Sequence, residues 1–157
     1  MDTPNGQHAV VLTREGLNEL KKEYEDLVQT KRPIAVTRLS DARDLGDLSE
    51  NSEYAAAKQD LAFMDGRIAE LEEILHNATI ITHHSKGHVD VGSKVTVSIK
   101  GRKEIFTVVG EWEADPMQRK ISHESPLGKA LIGKREGQEI EVDAPAGRIL
   151  YKIVSIE

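Results

Sequence analysis

The sequence predicts an α+β protein: an N-terminal antiparallel α-helical coiled-coil hairpin followed by a small antiparallel β-sheet domain carrying one short helix. Three observations lead there. Two heptad seams occupy the first half of the chain, strict period-two alternation replaces them after about residue 90, and the excess of acidic over basic charge sits in the helical part. Residues 13–77 hold 9 basic against 15 acidic side chains, whereas residues 91–157 hold 11 against 10. The two halves are therefore built to different compositions.

The first seam runs Leu17, Leu20, Tyr24, Leu27, Lys31, Ile34, Arg38, spaced alternately by three and four. The second runs Tyr54, Ala57, Leu61, Met64, Ile68, Leu71, Leu75. Folding the arms back to back pairs Leu20 with Leu75, Leu27 with Ile68, Ile34 with Leu61 and Arg38 with Ala57, and puts the turn near residue 47. At ~1.5 Å per residue such an arm is on the order of 45 Å long. Lys31 and Arg38 can lay their stems on Met64 and Ala57 while their charged heads reach water. Thr13 and Ser49 are the expected N-terminal caps. Pro33 lacks a backbone N–H inside the first arm, so a bend or a restarted helix is expected there.

Residues 1–12 are read as a tail, 13–77 as the hairpin and 78–90 as a linker that can open with a short strand. Residues 91–157 form the second domain. In it Val95, Val97 and Ile99, then Phe106, Val108, Gly110 and Trp112, then Ile140 and Val142, then Ile149, Tyr151 and Ile153 alternate as strands do. Lys100–Lys103 is a hairpin turn. Ser125-Pro126 followed by Leu127, Ala130, Leu131 and Gly133 describes a helix of one or two turns capped at both ends.

Composition excludes several function classes. The 157 residues contain no cysteine, so disulfide scaffolds, thiolate metal sites and cysteine nucleophiles are out. No run approaches a membrane span, no secretory signal opens the chain, and a cytoplasmic protein is expected. A net charge of -6 argues against bulk electrostatic binding of nucleic acid. His83, His84 and His88 fall in the linker without acidic or thiolate companions and read as incidental.

The chemistry concentrates at the hairpin tip, residues 44–50, where Asp47 and Glu50 sit at the apex. A pair of carboxylates is a partial site for a hard divalent cation such as Mg²⁺, whose remaining ligands would come from a partner. The same Asp47-x-x-Glu50 spacing also fits a capping box for the second helix, with Gly46 as the left-handed terminator of the first. Spacing alone leaves both open. Asp41 and Asp44 extend the acidic run.

The segment Gly46-Asp47-Leu48-Ser49-Glu50-Asn51-Ser52-Glu53-Tyr54 resembles the G-D-L-x-E-N-x-E-Y signature of the bacterial Gre transcript-cleavage factors, GreA type. The likeness extends from Leu12-Thr13 through Lys31-Arg32-Pro33 to Ser125-Pro126 and Leu131-Ile132-Gly133-Lys134. It implies a factor that is not itself an enzyme. The hairpin would enter the secondary channel of RNA polymerase, and Asp47 and Glu50, supplied in trans, would share a Mg²⁺ with the polymerase to cleave backtracked RNA. Arg43 and Lys58 stand at positions implied to contact the extruded 3′ end of the nascent RNA. Ser125 and Pro126 stand where an FKBP-like C-terminal domain would engage the polymerase. A monomer with no stably bound cofactor of its own is expected. Two alternatives stand beside this reading: an inhibitory paralogue that occupies the channel without promoting cleavage, favoured by Asp41 and Asp44, and a coiled-coil chaperone or scaffold, disfavoured because Leu45 and Leu48 alone are apolar at the tip.

Overall fold

The computed structural model describes residues 9–47, 51–81 and 87–157. They fall into two compact units, one of Asn18–Asn77 and one joining the residues up to Leu17 with Ala78–Glu157.

The first unit is a helical hairpin. Helix α1 spans Arg14–Asp26 and α2 spans Arg32–Asp44, with a five-residue π-helical turn, Leu27–Lys31, between them; α3 is the 25-residue return arm Ser52–His76. The π turn is where the expected restart occurs. Arg32 N–H donates to the Leu27 carbonyl, five residues back, so the turn takes up one extra residue and Pro33 falls at the opening of a fresh helix, where its missing N–H breaks no bond.

That extra residue rotates the seam. Leu20 and Leu27 are buried as predicted, but Ile34 is 64% exposed and Ala35 takes its place at 7%. Ala42 is buried further on, and Arg38 is exposed. The second arm, having no such turn, keeps its phase: Ala57 and Leu71 are buried and Tyr54, Leu61, Met64, Ile68 and Leu75 are half-buried. Toward the tip the two arms thus bury only alanines, each worth little apolar area. Charge pairs supplement them. Arg32 Nε meets Asp65 at 2.7 Å, and Arg38 meets Glu53 and Asp60, both at 2.7 Å. Lys31 and Arg38 border one groove with Ala57 and Met64, and Lys31 Nζ turns to Asp26 at 3.0 Å.

In the second unit, Val10–Leu12 form β1, which pairs in parallel with β2, Ala78–Ile80. The expected tail of residues 1–12 therefore ends at Ala9 among the described residues, and the linker of 78–90 begins as a strand. It also finishes early, because Val89 is buried in the core. A five-stranded sheet follows: β3 Lys94–Ile99, β4 Arg102–Val109, β5 Lys120–Ser122, β6 Glu139–Ala144 and β7 Gly147–Ile156, in the order β5-β4-β3-β7-β6. All pairings are antiparallel except β4 with β5. Val95, Val97, Val108, Leu131, Ile140, Val142 and Ile153 make the core, with Leu131 supplied by α4, Pro126–Leu131.

Gly110 and Trp112, expected to prolong a strand, instead leave β4 and enter a 3₁₀ turn, Glu111–Glu113. The cause is a close approach. A Cβ on Gly110 would lie 2.0 Å from the Val11 carbonyl oxygen, and one on Gly16 would lie 2.0 Å from a Glu113 carboxylate oxygen. Two glycines let the chain pack here. Glu113 then accepts from the Thr13 N–H at 2.8 Å, from the Thr13 hydroxyl and from the Gly110 N–H at 3.2 Å. Thr13 caps α1 as predicted, its Oγ1 accepting from Gly16 N–H at 3.0 Å.

Candidate functional site: the acidic turn of the hairpin

Helix α2 ends at Asp44, and Gly46 adopts φ +119°, the left-handed conformation that reverses the chain at low cost only for glycine. Asp47 follows it, exposed, in the loop that closes the hairpin. Leu48, Ser49 and Glu50 lie outside the described residues, so the second carboxylate of the pair and the expected Ser49 cap do too.

The cap of α3 is Asn51. Its Oδ1 accepts from Tyr54 N–H at 3.1 Å, and its Nδ2 donates to the Ala42 carbonyl at 2.7 Å. The helix begins later than a capping box at Asp47 would start it. With Asn51 as the N-cap, Asp47 is not the residue that opens α3.

Acidic side chains near the turn differ in their engagement. Glu53 belongs to the hairpin's own framework: the hydrogen bond and charge of the Arg38 guanidinium hold its carboxyl below the ordinary carboxylate value. Asp41 and Asp44 are exposed on the last turns of α2. Arg43 is exposed in the last turn of the same helix, where a cation also favours the helix dipole. Lys58 is exposed on α3, beyond the buried Ala57. Asp47 and Arg43 therefore share the closed end of the hairpin, while Lys58 stands further along the return arm.

Ser125 and Pro126 belong to the other unit and open α4. Ser125 Oγ accepts from Gly128 N–H at 3.0 Å and donates to the Ser122 carbonyl at 2.6 Å, so the serine is committed to the fold, whereas Pro126 is exposed. Of the linker histidines, His88 is described and its Nε2 accepts from Arg135 Nε at 2.8 Å; His83 and His84 lie outside the described residues. Sequence reasoning missed Asn51 as the cap and Arg38 as the hub of cross-arm ion pairs. The signal for Arg38 was available in the acids Glu53 and Asp60, which bracket Ala57, its expected partner, on the other arm.

Among the described residues the turn offers the carboxylate of Asp47, an oxygen donor of the kind hard cations take, and no cluster of three or more His, Asp or Glu side chains able to hold a metal ion by itself. Among the described residues no helix is long and apolar enough to cross a membrane.

Comparison with known proteins covers both units. Residues 10–80 match the family model for the N-terminal domain of transcription elongation factors GreA and GreB, and residues 84–157 match the model for the GreA/GreB C-terminal domain. A protein named transcription elongation factor GreA from Clostridium acetobutylicum is 48% identical over 151 residues, covering 94% of this chain and 96% of its own. One of the same name from Thermomicrobium roseum is 42% identical over 151 residues, covering 94% and 97%. Among solved structures, the crystal structure of GreA factor homolog 1 of Thermus thermophilus is 32% identical and covers 96% of this chain and 99% of that one, with a TM-score of 0.46.

Proposed function

The chain belongs to the GreA/GreB family of transcription elongation factors, and from that premise we propose that it enters the secondary channel of bacterial RNA polymerase and stimulates cleavage of backtracked nascent RNA. The observation that carries the proposal is the position of Asp47, exposed in the loop that closes a long helical hairpin, with the capping of α3 assigned to Asn51. A 25-residue arm is about 37 Å long, enough to carry a side chain deep into a channel.

In this reading Asp47 and Glu50 offer carboxylate oxygens to a cation shared with the polymerase active centre. A second Mg²⁺ held there would stabilise both the attacking and the leaving oxygen of the scissile phosphodiester. The hydrolytic centre belongs to the polymerase, and the chain acts on it as a monomeric partner rather than as an enzyme. Arg43, at the closed end, and Lys58, further along α3, meet the phosphates of the extruded RNA 3′ end. Lys58 does so as a point charge, without the planar fork that lets arginine stack on a base. Pro126, presented at the start of α4 by the buttressed Ser125, meets the polymerase outside the channel. The site of action is the bacterial cytoplasm.

The test is a halted, backtracked elongation complex incubated with the purified chain and Mg²⁺, with the transcript then sized. Shortened RNA that can be re-extended supports the proposal. Slowed extension without shortening points instead to a channel-occupying inhibitor, and no effect on either contradicts both readings.

A further inference from the structure

We infer that Asn51 is a positioning residue for the acidic turn, a conclusion that rests on the reading of Asp47 and Glu50 given above. Its carboxamide fixes both ends of the loop carrying Asp47, with a different atom at each end. Oδ1 takes the Tyr54 N–H at the start of α3, and Nδ2 gives a 2.7 Å bond to the carbonyl of Ala42 at the end of α2.

The Ala42 carbonyl needs that bond. It lies in the last turn of α2, beyond which no intrahelical donor follows in α-helical register, and Leu45 N–H reaches it only at 3.4 Å. Ala42 is 2% exposed, so solvent is a poor substitute. The carboxamide orientation is fixed by the partners, since Tyr54 supplies a donor and Ala42 an acceptor. A serine or aspartate could cap α3 equally well. Asparagine does more: its donor sits on a second atom, Nδ2, which reaches the Ala42 carbonyl while Oδ1 holds the cap, whereas aspartate has no donor and serine has one oxygen on a shorter side chain for both bonds. The residue type is thus demanded by the loop closure and not by the helix. With the strut in place, the chain on either side of Gly46 and Asp47 is tied together at Ala42 and Asn51.

Misplacement of a reacting group by about 1 Å can reduce rate 10²-fold. Asn51→Ser in the full-length protein keeps the cap and replaces the carboxamide's two polar atoms with one oxygen on a shorter side chain, which gives up the reach of Nδ2 to Ala42 without adding charge. The expected result is unchanged helicity by circular dichroism, polymerase affinity within about twofold of the parent, and stimulated cleavage slower by roughly 10- to 100-fold, with half-maximal cleavage moved to higher Mg²⁺. Asn51→Asp, which keeps the acceptor and lacks a donor altogether, should follow the serine variant. Parent-like cleavage by Asn51→Ser across the Mg²⁺ titration overturns the inference, as does recovery in Asn51→Asp, or loss of helicity and polymerase binding in step with cleavage. Asp47→Asn, run in parallel, separates the two levels. If it cleaves normally, the reading of the acidic pair fails; if it is inactive while Asn51→Ser is normal, only the strut fails.

Discussion

Arg67 of α3 grips Glu23 of α1 in a two-point fork, Nε to Oε1 at 2.7 Å and Nη2 to Oε2 at 2.9 Å. It also reaches Glu70, one turn along its own helix, at 2.5 Å. This geometry is the planar bidentate pairing that favours arginine over lysine. Both side chains remain partly exposed, at 34% and 40%, so solvent screening limits the contribution to about 1 kcal/mol. Arg67→Met should reduce the stability of the hairpin by that amount at neutral pH.

The same pair sets a pH dependence. The hydrogen bond from Arg67 is the main cause holding the Glu23 carboxyl below its ordinary value of 4.5. A depressed folded-state value stabilises the fold above the unfolded value, and that stabilisation is lost as pH falls through the folded one. The difference in urea midpoint between the parent and Arg67→Met should therefore hold constant from pH 7 to 6 and close as the pH falls below about 4. An equal difference at pH 7 and pH 3 would assign the contact to packing of the side-chain stems instead.

Glu113 organises the other unit. Glu113→Ala strands the Thr13 N–H and hydroxyl and the Gly110 N–H, and should cost about 2 kcal/mol, lowering the thermal transition by roughly 10 °C. Gly16→Ala drives a Cβ into the same carboxylate. Its effect should be non-additive with Glu113→Ala in a double-mutant cycle, because both break one set of bonds. Additive losses would show that Gly16 is needed for another reason.

The RNA contacts carry a distinct signature. Arg43→Ala and Lys58→Ala should each weaken crosslinking to a long extruded RNA, and each should lower the slope of log affinity against log salt by about 0.7. Lys58→Arg should strengthen the contact through stacking. A salt slope unchanged by both alanine substitutions contradicts the assignment.

What the sequence disclosed follows from which forces are local. The α3 seam was legible from Tyr54 to Leu75 because its heptad is uninterrupted, and so were the sheet strands centred on Val97 and Ile153, whose alternation marks one buried face. The phase of α2 was not, since the π turn at Leu27–Lys31 leaves no mark in the heptad and only Pro33 hints at it. Thr13 could be read as a cap, but near the turn Ser49 and Asn51 are both good caps by local rule. Asn51 prevails through a bond to Ala42, nine residues away, that no local rule contains. Strand β1 escaped notice because three residues paired in parallel with Ala78–Ile80 have no periodicity of their own. At Gly110 the expected strand gave way to the backbone of Val11, a contact made across the fold. The acidic pair and its likeness to the Gre signature were visible in the chain; the role of Asn51 beside them was not.

The central claim is tested most directly by Asp47→Asn and Glu50→Gln, assayed on a backtracked complex across a Mg²⁺ titration with polymerase affinity measured alongside. Each variant should bind polymerase nearly as the parent does and lose stimulated cleavage by roughly 100-fold or more, with partial recovery at high Mg²⁺. Parent-like cleavage by both variants at every Mg²⁺ concentration would contradict the account.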